Sequence, residues 1–449
     1  MGRKVFISVL GTSWYNECTY VWKDGTGRSK TNFIQLATLE SIGAKGWTEN
    51  DAVYILVTQK SKEKNWHLDN DERMDDRTGN LRPYPGLDTG IKRMGLKCQV
   101  VAKDIADGKT VEEIWGIFNT VFGLLEEDDT LYFDFTHGYR YLPMFVLVLS
   151  SYAKFMKKGV SIAHMSYGNF ESLEEEKPIM DLMSLATLQS WTSSAVSFRE
   201  MGRVKSLTEA LSEVINSDKN VFCDEIQNSV KELIPCLNSF ESQFEICSGD
   251  QIIKGKDAFE ICSLIDKLRH IKSLPEPVLQ ILLSIQEEVK PFRRNSVDNM
   301  IHALEWCKRY GLVQQGYTLC QECIVTAVCR KWKSRYKNEV PKYRYRNFRQ
   351  FISAVLGLSE NNCEHEELWW GELGEHKLLV KSILADDGIK EIRKQYEWMT
   401  KKRNQVNHGG FVVNIEPEKI MKEFGKTVDV CIKLVEKELV ENGKNKRIY

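Results

Sequence analysis

No stretch of this 449-residue chain holds the roughly 20 consecutive apolar residues that a bilayer span requires. The most apolar run, LPMFVLVLSSYAKF from Leu142 to Phe155, is interrupted by polar residues, so no membrane segment is expected. Net charge is nearly absent too: 62 Lys and Arg face 63 Asp and Glu. A neutral whole lacks the field that drives non-specific nucleic-acid binding, so any such contact must be local. There is no G-x-G-x-x-G after the first apolar run and no G-x-x-x-x-G-K-[ST] anywhere, which removes the usual support for hydride transfer and for ATP hydrolysis. No repeat at a fixed period stands out, and low-complexity tracts are absent.

The twelve cysteines lie at irregular spacings in a long chain, a pattern of reduced thiols in a cytosolic setting rather than of a disulfide framework. Cys320 and Cys323, followed by Cys329, have zinc-like spacing. They sit in an apolar, helical YTLCQECIVTAVC with no second ligand pair, however, so core thiols are expected and no metal site is. Cys363-Glu364-His365 is too isolated to add a ligand set.

What is present divides the chain in two. Residues 4–10, 52–58, 98–102, 130–135 and 159–165 are short β-branched or aromatic runs that end at turn signals and read as buried strands. Helical patterns at 31–44, 88–94, 110–125 and 141–156 lie between them. Strand alternating with helix predicts a parallel, doubly wound, Rossmann-like sheet over residues 1–180. The opening KVFISVL is accordingly read as a first strand, not a leader peptide. The polar segment 59–85 is too long for a routine connection and is expected to be a mobile loop or lid in which Trp66 must pack on something. Beyond residue 180 period-3.6 patterns dominate (181–201, 205–217, 221–235, 257–271, 277–289, 297–333, 377–405 and 416–441), so an all-α part is expected, with a weakly marked division near 295.

In a doubly wound sheet ligands sit beyond the carboxyl ends of the strands. Two such ends are conspicuous. The first strand runs into Gly11-Thr12-Ser13, and the fourth into Asp134-Phe135-Thr136-His137-Gly138. Hydroxyls and a glycine turn suit hydrogen bonding to phosphate or ribose. His137 equally fits a histidine bonded to backbone at a strand end, and Asp134 a loop-bracing carboxylate. Gln59 and Lys60, ending the second strand, are placed there by topology alone.

Near the C-terminal end, RNQVNHGG spans Arg403 to Gly410. An Arg followed by a His five to seven residues later is a feeble pattern, with roughly one match expected by chance in a chain of this size. In a continuous helix the two side chains differ by roughly 140° in direction, whereas fraying into the glycines brings them together. Metal-free RNA cleavage requires a group that moves protons near neutral pH and a cation that meets phosphoryl oxygens, and His408 and Arg403 are such groups, with Asn404 and Asn407 as further donors. A surface Arg and His at a helix end fit the same residues. Between them and the sheet, residues 330–349 hold nine Lys or Arg against one Glu, interleaved with Trp332, Tyr336, Tyr343, Tyr345 and Phe348. That is the composition of a single-stranded RNA track, with Lys333, Arg335, Arg344 and Arg346 as candidates, and also that of a solvated face over buried aromatics.

The first strand ending LGTS, with the complete Asp-x-Thr-His-Gly after the fourth, resembles the CRISPR-associated DxTHG-motif family. The resemblance implies a CARF domain: a dimeric Rossmann-like sensor that binds a cyclic oligoadenylate made by the type III CRISPR complex. It implies ligand contacts from Gly11, Thr12, Ser13, Thr136, His137 and Gly138, with Asp134 organising the loop. An all-helical C-terminal part carrying R-N-x-x-x-H similarly resembles a HEPN ribonuclease, covering 296–449, with 181–295 as a linker or insert. The combined resemblance implies a cytoplasmic homodimer or higher oligomer of dimers. The activator is the cyclic oligoadenylate, no resident cofactor or metal is needed, and single-stranded RNA is cut to 2′,3′-cyclic phosphate ends. In it Arg403 binds phosphate and His408 transfers protons. The alternative is a nucleotide-sensing regulator whose helical part is catalytically silent.

Overall fold

The computed structural model describes all residues except 1, 23–24, 26, 76–77, 138–140, 171, 173, 216–221, 340–344, 410, 412–415 and 442–449. The chain forms two compact units, Met1–Thr187 and Leu188–Tyr449.

The first unit is built on an eight-stranded sheet. In chain order its strands are β1 (Lys4–Leu10), β2 (Cys18–Val21), β3 (Arg28–Thr31), β4 (Ala52–Val57), β7 (Gln99–Asp104), β8 (Thr130–Asp134), β9 (Ser161–Gly168) and β10 (Lys177–Asp181), while β5 (Glu72–Met74) and β6 (Leu81–Pro83) form a separate hairpin. The spatial order is β3-β2-β10-β9-β8-β1-β4-β7. The five strands β9-β8-β1-β4-β7 are parallel throughout. The edge departs from the expected all-parallel sheet, since β10 runs antiparallel to β9, and β3 antiparallel to β2. These edge strands are short and partly polar, which hid them from a search for apolar runs.

Both faces of the sheet are covered, which is why β4 reads as an unbroken apolar run and β1 as one interrupted only by the buried Ser8 after its leading Lys4. Alternation sorts their side chains. Val5, Ile7 and Val9 with Ala52, Tyr54 and Leu56 pack under helices α3 (Val111–Phe122) and α4 (Leu142–Met156). Phe6, Leu10, Val53, Ile55 and Val57 pack against α1 (Ile34–Ser41) and α2 (Leu87–Met94) on the other side.

Segment 59–85, expected as a mobile loop, is instead a folded insert. It contains a short helix Gln59–Ser61 capped by Thr58, a π-helical turn Lys62–Trp66, and the β5–β6 hairpin. Trp66 packs onto the core beside α2. Composition conceals this because the anchors are polar: Asn65 is fully buried and Arg73 is 5% exposed.

The second unit is helical, and one buried cluster runs from Trp191 to Val435 through both stretches on either side of residue 295. Two long helical patterns are cut where the backbone turns. The 297–333 pattern breaks at Gly311, whose φ of +65° separates helix Asn299–Arg309 from α5 (Val313–Glu339). The 377–405 pattern breaks at Asp386, which caps α6 (Asp387–Asn407) by accepting from the Ile389 N–H. Lys331 on α5 lies 2.9 Å from Asp386 and 3.5 Å from Glu438 on α7 (Pro417–Glu441), so one ammonium ties three helices together. Cys320, Cys323 and Cys329 are buried in this core, and burial pushes their thiols up. For Cys320 a bond to the Cys431 thiol acts first.

At the base of the sheet Arg3 donates to both carboxylate oxygens of the fully buried Asp129, at 3.1 and 3.0 Å, and to the Leu124 carbonyl at 2.8 Å. Removing one partner of such a pair strands the other charge. Arg3→Ala is expected to lower the stability of the first unit by about 3 kcal/mol, read as the urea midpoint of its unfolding transition.

Candidate functional site

Among the five parallel strands the chain passes from β1 to β4 and β7 on one side, then returns to β8 and β9 on the other. The order therefore reverses between β1 and β8, and such a switch point opens a crevice at the carboxyl ends of the two strands. The Gly11-Thr12-Ser13 turn ends β1 and Asp134 ends β8, so topology brings the two strand-end motifs side by side.

Asp134 is 2% exposed. Its carboxylate accepts from the Ser8 hydroxyl at 2.7 Å, the Thr136 hydroxyl at 2.5 Å and the Thr136 N–H at 3.2 Å. Burial pushes its pKa up, against the pull of these bonds. The Thr136 hydroxyl in turn accepts from the Gly168 N–H at 2.7 Å. Asp134 and Thr136 thus brace three adjacent strands, β1, β8 and β9.

The His137 ring stacks on Tyr15, 4.2 Å between centroids. Its Nε2 is buried with no hydrogen-bond partner among the described residues. Beneath it lies a cavity of about 10 Å³ lined by Ile7, Val9, Phe133, Asp134 and Phe145 among others, room for no more than about one water. Burial lowers the His137 pKa to about 4, so the imidazole is neutral at pH 7. Gly11 is required by close approach, since a Cβ there would lie 2.5 Å from the Tyr15 hydroxyl. Thr12 is half-buried and Ser13 exposed, while Gly138 lies outside the described residues. Gln59 and Lys60 are exposed at the start of the short helix after β4, where Gln59 donates to Glu63 at 2.6 Å.

Two residues of this site had no sequence signal. Asn65 donates to the carbonyls of Gly11 and Ser13 at 2.8 and 3.0 Å. Arg73 donates to the carbonyls of Ser13 and Thr12 at 3.0 and 3.3 Å and to Asn65 Oδ1 at 2.5 Å. An Arg inside NDERMDD reads as solvated surface, and only the tertiary fold reveals its burial.

In the second unit, α6 continues without unwinding to Asn407, and His408 is its C-cap with near-helical φ and ψ of −85° and 8°. The His408 N–H still bonds the Asn404 carbonyl at 2.9 Å, and Gly409 at φ +60° ends the helix. Of the two arrangements open to this segment, the continuous helix is the one formed. The half-buried Arg403 guanidinium donates to the Asn404 side-chain oxygen at 3.2 and 2.8 Å, and no hydrogen bond joins it to His408. Asn407 and His408 are exposed at the helix end.

The basic segment resolves in part. Tyr336 and Phe348 are core residues whose tilted rings meet with centroids 4.4 Å apart, not platforms for bases. Arg335 is exposed, lies over Trp332 and donates to Ser382 at 2.7 Å. Lys333 is half-buried, its pKa lowered by burial and then by Lys337 and Arg330. Arg346 is exposed, and Arg344 lies outside the described residues. Among the described residues no three His, Cys, Asp or Glu converge as a metal site, and no helix is long and apolar enough to cross a membrane.

No family model matches the chain. It is similar to the CRISPR-associated protein MJ1674 of Methanocaldococcus jannaschii, with 25% identity over 163 residues. The similarity covers 32% of this chain and 24% of that protein, about a quarter of the relative's length.

The state of His137 gives a pH test. A base whose folded pKa is depressed supports the fold fully above its ordinary value of 6.5 and loses that support as pH falls toward about 4. Between about pH 7.5 and about pH 4.5 the wild type is expected to lose up to about 3 kcal/mol more than His137→Phe, compared through urea unfolding at each pH.

Proposed function

We propose that this chain is a CRISPR-associated sensor and effector: a cyclic-oligoadenylate-activated, metal-independent endoribonuclease of type III antiviral defence that cuts single-stranded RNA as a dimer. The observation that carries the reading is the switch point itself, where a DxTHG-type carboxyl and threonine brace β8 against β1 and β9 beside a glycine-hydroxyl turn. The similarity to a CRISPR-associated protein supports the same setting. A ring of identical nucleotides with an even count admits a two-fold axis, so two copies of one strand-end site suit it.

In this reading the helical unit is a HEPN ribonuclease. The exposure of Asn407 and His408 at the end of α6 suits a cleft completed by the same helix end of a second copy. His408 moves the proton from the ribose 2′-hydroxyl or to the departing 5′-oxygen. Arg403, held by Asn404, meets the charge that grows on the phosphoryl oxygens, and the product ends in a 2′,3′-cyclic phosphate. The sensor acts by binding its ring more tightly in the arrangement that closes the cleft.

The test is cleavage of single-stranded RNA with and without a panel of cyclic adenylates, in excess chelator. One ring is expected to switch cleavage on. Arg403→Ala and His408→Ala are expected to lower the rate at least about a hundredfold while ring binding persists. Ring binding without cleavage by the wild type would favour the silent-regulator alternative, and cleavage independent of every ring would overturn the sensor reading.

A further inference from the structure

We infer that Arg73 and Asn65, carried by the insert between β4 and α2, are positioning residues that shape the turn after β1 into a cradle for a phosphodiester group. The inference rests on the sensor reading above and names how that site grips its ligand.

The turn's carbonyls are all engaged. Asn65 takes those of Gly11 and Ser13, and the Arg73 fork takes those of Thr12 and Ser13 while also binding Asn65 Oδ1. The turn's donors are not. Among the described residues the N–H groups of Thr12, Ser13 and Trp14 have no acceptor, and neither hydroxyl of Thr12 or Ser13 has a partner. Three successive amides and two hydroxyls without acceptors form a strip of donors at the carboxyl end of β1, beside the switch point. Such a strip suits an anion with several oxygens. A guanidinium on the inner side of the turn adds a fixed positive charge to it.

The clamp is itself held. Arg73 lies over the rings of Trp14 and Tyr84, at 5.2 and 5.4 Å, and the Tyr84 hydroxyl accepts from the Tyr15 N–H at 3.2 Å. Tyr84 is 1% exposed. The turn is thereby fixed from Gly11 to Tyr15 before any ligand arrives, which is the condition under which backbone donors bind without first being ordered. The fork divides these acceptors between two nitrogens, one on the Ser13 carbonyl and Asn65 Oδ1 and the other on the Thr12 carbonyl, a spread that the single nitrogen of an ammonium does not match.

The experiment uses the full chain with Arg73→Lys, which keeps the charge but loses the fork, and Tyr84→Phe, which keeps the ring but frees the Tyr15 N–H. Affinity for cyclic tetra- and hexaadenylate is measured by calorimetry, ligand-induced protection of residues 12–14 by hydrogen exchange, and RNA cleavage as a function of ring concentration. Arg73→Lys is expected to weaken binding of the cognate ring about tenfold or more, and Tyr84→Phe a few-fold. Protection at residues 12–14 falls with it, and the half-activating ring concentration rises while the cleavage rate at saturating ring is retained. A rate that falls at saturation, with the melting temperature, would reduce the pair to fold supports and overturn the inference. Unchanged affinity in both variants, beside a wild type that binds a ring, would overturn the inference alone. A wild type that binds neither ring would overturn it together with the sensor reading.

Discussion

A single buried carboxyl organises the ligand end of the sheet. Asp134 sits where β8 stops, and its bonds to Ser8 and Thr136, relayed by Thr136 to the Gly168 amide, fix the relative ends of β1, β8 and β9. Burying this group is unfavourable to its ionised form, as its raised pKa records, and the three bonds it accepts offset that tendency. The strand ends are held together by polar groups in a place where apolar packing has run out. The small cavity beneath His137 marks the same boundary.

Much of this was legible in the sequence. The five parallel strands and the four large helices of the first unit follow from apolar runs broken by turns, because a sheet covered on both faces demands continuous burial, as β4 shows at every position. The motif residues fell at strand ends for the same reason. What the sequence hid was burial achieved by polar groups. Arg73 and Asn65 lie in a segment whose composition reads as solvent-facing, yet their bonds to turn carbonyls fold that segment into an insert. The edge strands β2, β3 and β10 escaped because strand ends and edges carry polar residues that break the apolar signal.

In the helical unit, periodicity found the helices but not their breaks. Asp386 and Gly311 act through backbone geometry and local capping, which apolar spacing does not report. The basic segment shows the converse limit. Charge and aromatics alternate along it, but Tyr336 and Phe348 turn inward to the core while Arg335 and Arg346 face out, so composition alone described two different environments as one. The Arg403–His408 spacing had the least to say. Along the uninterrupted α6 the Arg403 guanidinium is bonded to Asn404 and no hydrogen bond joins it to His408.

The distribution of sulfur has a practical consequence. All twelve cysteines are free thiols, and ten of them belong to the helical unit, leaving only Cys18 and Cys98 in the other. Cys307, Cys320, Cys323, Cys329 and Cys431 are sealed in the core and held in the protonated, unreactive form. A thiol-alkylating reagent followed by mass spectrometry therefore reads out local opening of the helical half almost selectively, residue by residue, without any label having to be introduced.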